Sequence, residues 1–125
     1  MMTKEFEVVF YETVDGQQPV LDFITTLEIK LKAKVFRDLE LLENNGNNLG
    51  MPFSKYLEDG IFELRSKQGS NITRIFYFFV VNKKIIVTNG FRKKTQKTPP
   101  GEIKLAKKYR DDFLAREQDE EGGIK

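Results

Sequence analysis

An α+β fold in the order β-α-α-β-β-β-α, with a small, mainly antiparallel sheet, an N-terminal helical hairpin and a C-terminal helix, is predicted by three observations. Apolar residues recur at helical spacing in two separate stretches. Between those stretches lie three runs rich in β-branched and aromatic residues, separated by gaps of turn size. A further short run of the same kind stands ahead of the first helical stretch.

Residues 6–11, FEVVFY, form the first strand, ended by the Asp15-Gly16 turn signal. Pro19 then opens a helix, as proline does at a first helical position. Val20, Phe23, Ile24, Leu27 and Leu31 share one helical stripe, which Val35, Leu39 and Leu42 continue until Asn45-Gly46 stops it. One helix of that length is long for a small domain, so a tight helical hairpin is favoured although residues 28–30 contain no breaker. A polar loop over 44–52 leads to strands at 61–66, 72–81 and 84–91. Gly69-Ser70 and Asn82-Lys83 separate them, which makes an antiparallel meander. Thr98 is placed to cap a last helix starting at Pro99 or Pro100, with Ile103, Ala106, Tyr109 and Phe113 as its buried stripe.

The 125 residues suit one domain, over 1–116, followed by an acidic, flexible tail over 117–125. Charged residues at 32% and hydrophobic residues at 39% are the proportions of a water-soluble protein. No run is long enough to span a bilayer, and the start, MMTKEFEVVF, lacks the features of a secretory signal, so a cytoplasmic location without membrane association is expected. The absence of cysteine excludes disulfides and thiolate zinc sites. With no histidine either, Ser-His and Cys-His nucleophile systems are excluded too, and no HExxH, Walker loop or GxGxxG is present, so neither metal nor cofactor is expected.

Net charge is only +2, but its distribution is uneven. From Arg92 to Arg110 there are eight basic residues and one acid, Glu102, which leaves −5 for the remainder. Such a concentration fits a polyanion site, although a solvated helix face with a charged turn fits it as well. The strand arginines favour the first reading. Side chains alternate across a strand, so Phe62 and Leu64 should cover the helices while Glu63 and Arg65 occupy the other face, joined by Arg74 if register permits. A plain cross-strand ion pair between Glu63 and either arginine carries equal weight on pairing grounds. The run FRKKTQK supplies Phe91, Arg92, Lys93, Lys94 and Lys97, an aromatic ring among cations of the kind that holds single-stranded RNA. Tyr77 reads more simply as a core tyrosine with a hydrogen-bond partner. RNA brings its own 2′-hydroxyl nucleophile, so arginines and lysines suffice to align a phosphate and stabilise its charge. For moving protons the candidates are Glu63, Lys93, Lys94 and Tyr77.

The stretch KYLEDGIFELRSKQGSNITRIFYFFVVNKKIIVTNGFRKKTQKTPPGEIKLAKKYRDDF, residues 55–113, closely resembles the RelE/HigB superfamily of type II toxin–antitoxin toxins, in its phage-derived, HigB-like branch. The shared pattern is a strand ending in E-L-R, an R-[IV]-x-Y strand, and a G-F-x-K-K-T-x-K-T-P turn into a helix with E-I-x-x-A. This resemblance implies a RelE-like fold and a metal-independent endoribonuclease that cleaves mRNA on translating ribosomes and so inhibits translation. It also implies silencing by a cognate helix-turn-helix, HigA-like antitoxin in a 2:2 complex. Carried over by motif, Arg65 and Arg74 take the scissile phosphate, Lys93 and Lys94 grip flanking phosphate or assist the leaving oxygen, and Glu63 and Phe91 support them. Many relatives carry histidine before the glycine of the G-F turn; here Asn89 stands there, which can hydrogen-bond but cannot titrate near neutrality. Two other readings use the same chain: a ParE-like inhibitor of DNA gyrase, and a nucleic-acid-binding module that cleaves nothing.

Overall fold

The computed structural model describes residues 5–93 and 97–123. Strand β1 (Glu7–Phe10) is followed by helices α1 (Pro19–Thr25) and α2 (Ile29–Asn45), then strands β2 (Ser54–Glu58), β3 (Ile61–Gln68), β4 (Asn71–Val80) and β5 (Lys84–Arg92), and helix α3 (Pro100–Gly123). The five strands form one sheet in the order β1-β5-β4-β3-β2. The β1–β5 pair is parallel and the other pairs are antiparallel.

The two helices expected near the N-terminus are separate. Backbone bonds from Thr26 N to Phe23 O and from Leu27 N to Ile24 O close α1. Glu28 is extended and starts α2 by accepting from Lys32 N at 2.8 Å. Both helices lie on one face of the sheet, where Val20, Ile24, Leu31, Val35 and Leu42 pack with Leu64, Ile75, Tyr77, Ile85 and Val87. Gly90 allows this close approach, because a Cβ there would stand 2.7 Å from Phe23 Cδ2 and 3.1 Å from Ile75 Cγ1. The other face carries a second core, in which Ile61, Phe76, Phe78 and Ile86 meet Ala106, Ile103, Tyr109 and Phe113 of α3. Strand β4 is therefore covered on both sides, as its apolar sequence predicts, and the stripe expected on the last helix is the one that packs.

The element order needs one correction. Strand β2 pairs antiparallel with β3, where the sequence reading had an unassigned connection before a three-strand meander. Its residues, SKYLE, are largely exposed on an outer strand, so the apolar alternation that reveals a half-buried strand is missing. Helix α3 also continues to Gly123, so residues 117–123 of the acidic segment extend its backbone.

Several polar ties fix α3 on the sheet. Lys107 pairs with Glu58 at 2.6 Å and Arg110 with Asp59 at 3.1 Å, which anchors the helix to the β2–β3 turn. Further along, the Tyr11 hydroxyl donates to Asp112 Oδ2 at 2.6 Å, and Arg116 reaches the same carboxylate at 2.7 Å. Burial, reinforced by Asp112, pushes the Tyr11 hydroxyl up to about 12. The middle of α3 is thereby held against the sheet.

Candidate functional site: a cationic cluster around a buried carboxylate

On the α3 side of the sheet the apolar surface of Phe78 and Phe76 gives way to charge two residues further along β4, at Arg74. Arg65 is directly opposite Arg74 in the register, and Glu63 is opposite Phe76, so all three point to this one face, as alternation predicts. Phe62 and Leu64 point to the helices on the other side. On the far flank of β4, Phe91 is paired with Arg74, and its ring meets Phe76 edge-on at 5.4 Å. Phe91 is thus partly buried in the α3 core, at the boundary between ring and charge.

Burial is graded across the cluster. Glu63 is 0% exposed and Arg74 5%, whereas the Arg65 side chain is 26% exposed. Arg74 Nη1 donates to Glu63 Oε1 at 3.0 Å and to Thr98 Oγ1 at 2.9 Å. Thr98, read from the sequence as a helix cap, thus sends its hydroxyl to the arginine. Arg65 Nε stands 3.7 Å from Glu63 Oε2, an oxygen that has no hydrogen-bond partner among the described residues. The cross-strand ion pair and the arginine site are therefore one arrangement. Glu63 is buried beneath the two guanidiniums, hydrogen-bonded to Arg74 and ion-paired with Arg65.

Lys93 completes the cluster from the end of β5, where its backbone N bonds Ile72 O at 2.8 Å and keeps it in register beside β4. Loss of hydration lowers the Lys93 ammonium from its ordinary 10.5, and the neighbouring Arg74, Arg65 and Lys55 push it the same way against the pull of Glu63. Lys55 was missed by the sequence reading. It lies directly across from Glu63 on β2 and shares its face, a placement that becomes visible only once β2 is known to be a strand. If these neighbours set the Lys93 titration, its side-chain nitrogen should titrate below the bulk of the lysines by heteronuclear NMR. Arg65→Ala removes one repelling cation and should move that titration back up; titration with the bulk in both proteins would show that the cluster does not act on Lys93.

Arg92 and Tyr77 are not brought here. Arg92 faces the opposite side from Phe91, where its guanidinium pairs with Glu28 at 2.7 Å and reaches Asn71 Oδ1 at 3.4 Å. Lys97 is exposed on the approach to α3, and Lys94 lies outside the described residues. Tyr77 is buried on the helix side of the sheet, hydrogen-bonded to the Ser54 hydroxyl, and burial pushes its own hydroxyl up to about 12. The sheet thus separates it from the arginines. Asn89 is 3% exposed; its amide donates to Glu102 O at 3.1 Å and Glu102 Oε2 at 3.0 Å, while its oxygen accepts from Thr88 at 2.7 Å. It fastens β5 to the first turn of α3 and so holds both sides of the connection that carries Lys93.

Four cations around a single carboxylate give this end of the sheet a net positive charge of the kind that suits an anion. Guanidiniums match the oxygens of a phosphate, and a lysine with a lowered ammonium pKa gives up its proton more readily than an ordinary one. Among the described residues, no group of three or more His, Cys, Asp or Glu is arranged to hold a metal ion. None of the helices described is long and apolar enough to cross a membrane. No curated protein matches the chain. Residues 22–111, which run from within α1 into α3 and include all four cations, match the family described as Phage derived protein Gp49-like (DUF891), and the chain belongs to that family, a RelE/HigB-like family associated with toxins of toxin–antitoxin systems.

Proposed function

We propose that the protein is the toxin of a type II toxin–antitoxin system and acts as a metal-independent endoribonuclease on mRNA at the translating ribosome. The observation that carries this reading is the cross-strand pair Arg65 and Arg74, fixed on buried Glu63 with Lys93 beside them. Arg65, the more exposed guanidinium, takes the scissile phosphate, and Arg74 adds fixed positive charge from behind. The 2′-hydroxyl of the RNA gives its proton to solvent water as its oxygen bonds to phosphorus, the bond from phosphorus to the 5′-oxygen breaks, and Lys93 gives that leaving oxygen a proton and is reprotonated from solvent. The products are a 2′,3′-cyclic phosphate and a 5′-hydroxyl. Family membership supports an antitoxin partner. We take this partner to be a helix-turn-helix, HigA-like protein in a 2:2 complex, neutralising a toxin that works in the cytoplasm.

The test is to add the purified protein to a translating cell-free extract and map mRNA ends by primer extension, with naked mRNA alongside. Cuts inside translated codons, absent from naked mRNA and bearing 5′-hydroxyl ends, are the expected result. Ends bearing 5′-phosphate would rule out attack by the 2′-hydroxyl. Intact mRNA with blocked DNA supercoiling would assign the fold to gyrase inhibition, and RNA binding without any cut would leave a binding module.

A further inference from the structure

We propose that Met51 and Phe53 form a stacking shelf for one unpaired nucleobase of the RNA, next to the phosphate held by Arg65. This rests on the nuclease reading of the arginine cluster and adds to it the part of the surface that receives a base.

Both side chains are exposed, Met51 at 63% and Phe53 at 36%, beside strands whose other large apolar groups are mostly in the two cores. An exposed apolar side chain is by itself ordinary. What sets this pair apart is its attachment to the cluster. The Arg65 backbone N bonds Phe53 O at 2.7 Å, so the aromatic residue is pinned to β3 at the level of the arginine. The Arg65 guanidinium in turn reaches Met51 Sδ at 3.6 Å. The turn beneath them is closed by Phe53 N and Ser54 N, which both bond Gly50 O, at 3.0 and 3.1 Å. Lys34 of α2 brings its ammonium to 5.9 Å from the Phe53 ring and is held there by Asp38 at 2.7 Å.

The shelf is therefore apolar on its surface and cationic along both flanks, with Arg65 on one and Lys34 on the other. That combination suits a nucleotide, which has a flat π-face joined to an anionic backbone, better than an apolar protein segment, which gains nothing from the two cations. An aromatic ring and a polarizable thioether accept any base by its face, so the shelf positions the RNA without reading its hydrogen-bonding edge. Phe91, expected to support the site or stack on a base, is partly buried with its ring edge-on to Phe76.

A short single-stranded 2′-O-methyl RNA, which lacks the attacking hydroxyl and so cannot be cut, tests the shelf separately from the chemistry. With 2-aminopurine as one base of the strand, the wild-type protein should quench its fluorescence strongly. Phe53→Ala and Met51→Ala should each abolish that quenching, and Phe53→Ala should weaken binding about tenfold. Phe53→Tyr should behave as wild type, and Leu114→Ala, at an exposed apolar position elsewhere, serves as the control. Absence of quenching by the wild type, or quenching unchanged in both alanine variants, overturns the shelf even if mRNA is cut in the extract. Quenching that is lost in both alanine variants of a protein that cuts no mRNA would keep the shelf and remove the nuclease reading.

Discussion

Replacing Arg74 by alanine is expected to destabilise the fold by roughly 3–5 kcal/mol, so that loss of activity in this variant reports on folding before it reports on chemistry. The guanidinium is 5% exposed and its main partner, Glu63, is 0% exposed. Truncating the arginine leaves a carboxylate inside the protein with Arg65, 3.7 Å away, as its remaining ion-pair partner among the described residues. The hydrogen bond to Thr98 is lost as well, which releases the approach to α3. Urea denaturation of the wild type, Arg74→Ala and the double variant Glu63→Leu/Arg74→Met separates these effects. Removing both charges should recover most of the stability, because the cost arises from an unpaired buried charge more than from a lost attraction. A single variant as stable as wild type would mean that the Glu63–Arg74 pair is open to water.

Which parts of this architecture could be read in advance follows from how strongly each residue is constrained by its nearest neighbours in the chain. Alternation along I-F-E-L-R-S put Glu63 and Arg65 on one face and Phe62 and Leu64 on the other, because a strand leaves no other choice. Applied to F-R-K, the same alternation separates Arg92 from Phe91 and Lys93, and the structure places Arg92 beside Glu28. Counting the basic run as a single patch concealed that separation. Strand β2 could not be read, because an outer strand takes its conformation from pairing with β3 and needs no apolar pattern of its own. Lys55 was missed along with it. The burial of Glu63 was also out of reach, since it depends on two arginines converging from different strands and on α3 covering the face beside them. In this chain local periodicity specifies the layers, and long-range pairing specifies which charges meet.

Arg65 is the residue at which stability and function should separate most cleanly. Its side chain is 26% exposed, 3.7 Å from Glu63 and in contact with Met51, so Arg65→Ala leaves Glu63 with the shorter bond to Arg74. The expected change in unfolding free energy is within about 1 kcal/mol, set against a loss of cleavage of roughly a hundredfold to a thousandfold, the usual effect of deleting one donor to a developing charge. Arg65→Lys keeps a positive charge but loses the planar fork, and should fall between the two, with less cleavage than wild type and more than alanine. Thermal melts of the three proteins, beside primer extension in the translating extract, provide both readouts. Wild-type cleavage by Arg65→Ala would remove this arginine from the reaction and turn attention to half-buried Lys93 and exposed Lys55 as cations able to hold the phosphate. A drop in stability matching that of Arg74→Ala would instead mean that Glu63 depends equally on both arginines, and that the cluster is a structural ion network before it is a site.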